Sequence, residues 1–258
     1  MNRWRVDFKW IFGIIFTLVL IFALMMLSMF QATGQVRAEK VISAMKQTLI
    51  SDARLREELS VVAPDILNFL ESPDFSSRVY DDPAYLQYKI DAIPAATQPL
   101  PETPDGAGAP RETAQSTRSL LEIYITPVSF LSSGVHSFFK WVLVATLIMA
   151  VVAVVPFIMF SRGLGRFVSA GVSIAIASWG PFLFLSLLKG TTLGWTPERS
   201  GEGESFEQRR IIEEGVNEFA RNLIDASLSV YTLFSLVALT LLLAAAAGFL
   251  LLKSRPAT

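Results

Sequence analysis

Few residues in this 258-residue chain have the type and spacing that chemistry needs. Glu71, Asp74, Asp81 and Asp82 could together hold a cation. A calcium loop needs its ligands in a fixed order with a central glycine and a terminal glutamate, and that order is missing here. Asp82 before Pro83 also suits a helix cap, which explains the acidic pair without a metal. His136 is the only histidine, so one chain cannot supply a multi-histidine zinc site. A lone histidine can serve as a base or a pH sensor, but beside Phe138, Phe139 and Trp141 it reads as an interfacial side chain. There is no cysteine, which excludes a thiol nucleophile, thiolate metal ligands, disulfides and lipid attachment at cysteine.

The remaining polar clusters lead no further. Glu202, Glu204, Glu207, Arg209, Arg210, Glu213 and Glu214 form a dense run whose simplest reading is a solvated helix face. The glycines of SRGLGR and of GWTPERSGEGE match neither the phosphate loop nor the dinucleotide pattern. No basic patch points to nucleic acid. We therefore expect no catalytic residue, no cofactor site and no metal site, and we do not expect an enzyme.

The elements around these residues are far more legible than any site. Hydrophobic residues make up 52% of the chain and charged ones 17%, below the roughly 25% of an average soluble domain. The apolar residues are concentrated in four runs, 10–30, 141–160, 167–188 and 227–252. Each is close to the ~20 residues that a helix needs to cross a ~30 Å hydrocarbon core. The predicted fold is all-α: a polytopic membrane protein with four transmembrane helices and a helical extracytoplasmic module.

Charge sets the expected orientation. The start (1–9) has Arg3, Arg5 and Lys9 against Asp7. The hairpin turn (161–166) has Arg162 and Arg166, and the tail (253–258) has Lys253 and Arg255, with no acidic residue in either. Short basic segments mark the cytoplasmic side, so both termini and the hairpin turn are expected there, in a plasma membrane. The first run is too long for a typical signal-peptide core, so it reads as a retained anchor although Ala32-Thr33-Gly34 resembles a cleavage site.

Residues 31–93 read as an extracytoplasmic series of helices. Val41, Met45, Leu49 and Ala53 recur at four-residue steps. Ser51 or Asp52, Pro64, Ser72-Pro73 and Asp82-Pro83 mark helix starts. Residues 94–116, with five prolines and almost no large aliphatics, read as a flexible linker. Residues 117–140 read as a juxtamembrane helix, laid on the membrane surface or against the earlier helices. Residues 189–226 begin as a turn-rich loop and become an amphipathic helix with Ile212, Val216, Phe219 and Leu223 on one face. No break separates it from the last apolar run, so one long helix is expected.

Two sets of residues complete the expectations. Ser169, Gly171, Ser173, Ala175 and Ala177 in the third span, and Ala244 with Gly248 in the fourth, have the small-residue spacing of close helix packing. Val41, Met45 and Leu49, with Ile212, Val216, Phe219 and Leu223, are the candidate interaction face, covering one another or a partner. The cytoplasmic segments are too small for an output domain. The expected role is a non-enzymatic interaction or assembly module, with membrane lipid and an extracytoplasmic or membrane protein as partners. The alternative is a transporter or channel subunit with the third span lining its path, but none of the four runs holds Asp, Glu, Lys, Arg or His. The order of long outer loop, short inner turn and shorter outer loop resembles the claudin plan. The cysteine pair of the claudin first loop is absent, and the likeness implies topology alone.

Overall fold

The computed structural model describes residues 3–93, 117–119, 121–122, 127–161, 163–192 and 204–253. All its elements are helices: α1 (Arg3–Ala32), α2 (Gln35–Ser51), α3 (Ala53–Val62), α4 (Pro64–Glu71), α5 (Phe75–Asp81), α6 (Pro83–Asp91), α7 (Ser133–Phe160), α8 (Gly165–Thr192) and α9 (Glu204–Lys253). They divide into two compact units. The linker 94–116 and most of the connection before α9 lie outside the described residues.

The first unit comprises Met1–Gln31, Phe138–Thr196 and Leu223–Thr258. Among the described residues, four helical segments are long and apolar enough to cross a membrane: Phe8–Ala32, Ser133–Phe160, Gly165–Gly190 and Asn217–Leu251. Each extends past the apolar run that marks it, because helical hydrogen bonding does not stop where the side chains change polarity. Lys9, Lys140, Lys189 and Asp225 thus lie in the same helices as the apolar runs, just beyond their ends. Pro156 and Pro181 both sit inside continuous helices, so Gly180-Pro181 does not end α8. Neighbouring groups re-satisfy a backbone freed by proline in such bundles.

All four helices contribute to one core: Phe16, Leu20 and Leu24 from α1, Ala153 and Phe157 from α7, Ala177 from α8, and Val230 and Tyr231 from α9. The outward residues are apolar too, with Leu18, Val152, Leu183 and Leu250 all well exposed. An apolar exterior on such helices is what a hydrocarbon solvent permits and water does not. The four apolar helices mark an all-helical membrane protein.

The second unit comprises Ala32–Ser137 and Pro197–Asn222. Its core is formed by α2 to α6 with Leu121, Val128 and Leu131. Leu121, Val128 and Leu131 are buried in that core, which is the packing against the earlier helices that is one of the two expectations for 117–140, and α7 begins at Ser133. α2 packs mainly on α5 and buries Ala38, Val41, Ile42, Met45 and Leu49. Phe75 is fully enclosed, edge-on to Phe69 at 5.1 Å, with Lys46 Nζ 5.7 Å from its ring centre.

Local chemistry sets most helix boundaries. The Asp52 carboxylate accepts the Leu55 amide at 3.0 Å, and that of Asp82 accepts the Tyr85 amide at 3.3 Å. Pro64 and Pro83 each take the first helical turn, where no amide hydrogen is needed. Ser72-Pro73 does not start a helix. The Ser72 amide closes α4 onto the Phe69 carbonyl, and Lys46 Nζ donates to the Ser72 carbonyl at 2.9 Å, so α5 opens two residues after Pro73. Replacing Asp52 by alanine should cost about 0.5–2 kcal/mol in a thermal melt of the full-length protein in detergent. Asp52→Asn keeps an accepting oxygen and should recover most of that loss.

Candidate functional site

Three of the four acidic candidates, Glu71, Asp74 and Asp82, are engaged within the protein. Glu71 pairs with Arg56 at 2.6 Å and Asp74 with Arg78 at 3.2 Å. Asp82 caps α6, and the Asp81 carbonyl accepts from Ser133 Oγ at 3.3 Å. Among the described residues, no group of three His, Cys, Asp or Glu side chains could hold a metal. Burial raises the Tyr80 hydroxyl pKa above its ordinary 10, helped by the nearby Asp81 and Glu39 charges. The unfolded chain releases this proton more readily, so that contribution to stability is lost as the pH rises past 10. At partly exposed Arg118, the hydrogen bond to Glu122 raises the pKa, and its ion pair with Asp91 lies at 3.3 Å.

His136 lies in the same unit. Its Nδ1 is 3.2 Å from Thr33 Oγ1, and Thr33 is fully buried. Close by in sequence, Asn222 Nδ2 donates to the Ala32 carbonyl at 3.1 Å. Both contacts join segments about a hundred or more residues apart, and neither is foreshadowed by a motif.

Val41, Met45 and Leu49, three of the seven residues of the candidate interaction face, are 5%, 1% and 1% exposed and belong to the unit's own core. They are covered from within, so they are not a free surface. Phe219 packs partly against that core and meets Phe130 edge-on at 5.6 Å. Leu223 falls in the other unit. The side chains of Ile212 and Val216 lie outside the described residues. A shallow hollow of about 530 Å³ lies beside the end of α2, lined by Ile50, Arg56, Glu57, Ser60 and Leu67 among others.

Within the bundle, Gly171, Ser173, Ala175, Ala177 and Ser178 are buried and Ser169 is half-buried. A Cβ at Gly171 would lie 3.0 Å from Leu242 Cγ and 3.4 Å from Leu241 Cβ, so this glycine sets how closely α8 and α9 approach. The fourth-span pair needs correcting. Ala244 is exposed, whereas Ala245 is buried and Gly248 meets Leu164. The inward face of α9 runs through Ala238, Ala245 and Gly248, in steps of seven and three, and position 244 falls off that line.

Hydroxyls in the spans largely bond to their own helices. Ser178 donates to the Ile174 carbonyl at 2.8 Å, Thr146 to Val142 at 2.7 Å and Ser28 to Leu24 at 2.9 Å. Hydroxyls satisfied in this way offer little to a passing solute.

Of the topology determinants, Arg166 Nε donates to the Ser161 carbonyl at 2.9 Å, placing a cation at the C-terminus of α7 where the helix dipole favours it. Gly163 takes φ +53°, the left-handed conformation that the turn requires. Lys9 is half-buried. Arg162 and Arg255, and the side chains of Arg3, Arg5 and Lys253, lie outside the described residues.

Three features escaped the sequence reading. Phe8 and Phe12 stack on Phe160, and Phe16 stacks on Phe157 at 5.7 Å, joining α1 to α7. The four-residue spacing of Phe8, Phe12 and Phe16 could have revealed this stripe. Lys189 Nζ reaches Asp225 at 2.7 Å, joining α8 to α9. Both side chains are about half exposed, so this pair contributes no more than about 1 kcal/mol. Ser229 also bonds Gln31 at 3.2 Å. Comparison with protein-family models, curated proteins and solved structures gives no match for the chain.

Proposed function

We propose that this chain is a non-enzymatic plasma-membrane protein whose second unit lies outside the cytoplasm and binds or organises a protein partner. The carrying observation is that α2 to α6 close a core of their own. A set of short helices with its own core is a body that can present a surface. Ala32–Ser137 and Pro197–Asn222 together carry 21 acidic and 13 basic residues, so that surface is acidic on balance. With Val41, Met45 and Leu49 facing inward, the contact surface in this reading is the outer, charged one. Purified in mild detergent, the full-length protein is expected to carry a second protein along. A lone monomer without bound protein would overturn the reading.

The orientation belongs to the same proposal. Both termini and the hairpin turn are cytoplasmic, supported by the basic residues of the three short segments. A reporter inserted at Gly163 should read cytoplasmic and one at Gly106 should read outside. The reverse pattern would sink the orientation and, with it, the extracytoplasmic assignment. A solute path along α8 is the weaker reading, because Ser178 is satisfied within its helix and Gly171 is filled by Leu242.

A further inference from the structure

We draw no further inference here: the strongest candidate, the amino-terminal turn of α2, where Gly34 gives no side-chain cap and Arg37 Nη1 is buried without a hydrogen-bond partner, is a helix N-terminus whose arginine remains partly exposed, and no second observation points to an anion there.

Discussion

Replacing Phe75 by alanine is expected to unfold the second unit at a markedly lower temperature while leaving the four apolar helices in the membrane. Phe75 is fully buried, edge-on to Phe69, and Lys46 lies over its ring. Truncating an enclosed phenylalanine costs about 3–5 kcal/mol, from the lost transfer energy and the cavity left behind. The total stability of a domain is only about 5–15 kcal/mol, so this one change removes a large share of it. Loss of the Lys46 contact adds about 0.5–1 kcal/mol. Limited proteolysis of the full-length protein in lipid vesicles should show new cleavage within 35–91, and fragments containing α7 and α8 should stay membrane-bound. Tyr88, exposed on α6, is the control: its alanine variant should melt within about 0.5 kcal/mol of the parent. A Phe75→Ala protein that melts like the Tyr88 variant would mean that the core is not closed around that ring.

That contrast also shows what could be read from the chain alone. The stripe Val41, Met45, Leu49 was visible because helical periodicity needs only neighbouring residues. What covers it was not, since α5 reaches it through tertiary packing. The Asp82-Pro83 start was legible because both its parts are local: a carboxylate that accepts an amide and a ring that needs none. Ser72-Pro73 has a similar local signature, but Ser72 closes α4 through its amide on the Phe69 carbonyl and α5 opens only at Phe75. The apolar runs marked all four candidate spans, since length and composition are local properties. Their ends did not follow, because a helix continues until a cap or a turn closes it, and a change of polarity alone does neither. Gly171 looked like a packing residue from its spacing, and its contact with Leu242 gives that reading a geometry. Ala244 had equally good spacing but faces outward, because spacing finds candidate faces without choosing among them.

Gly171 carries the other large effect. In water, helices gather because apolar surface is removed from solvent. In lipid that drive is absent, and close packing has to hold the bundle together. At Gly171 the approach is set by a missing side chain: Leu242 occupies the space that a Cβ would need. The close atoms include Leu242 Cγ and Leu241 Cβ, which cannot swing away as a side-chain tip can. Gly171→Ala should therefore already strain the contact, and Gly171→Leu should part α8 from α9, with overpacking costing about 1–3 kcal/mol or more. The chain has no cysteine, so cysteines placed at Lys189 and Asp225 report on this pair of helices alone. These two side chains meet at 2.7 Å in the parent, and a short thiol cross-linker should join them efficiently. With Gly171→Leu, cross-linking should fall several-fold, and the protein should unfold at lower denaturant. Gly180, on the same helix, has nothing within 4 Å of where its Cβ would lie, so Gly180→Ala should cross-link and unfold like the parent. Equal cross-linking in the Gly171→Leu and Gly180→Ala proteins would show that α8 and α9 are not held by this contact, and that the small residues of α8 face lipid instead.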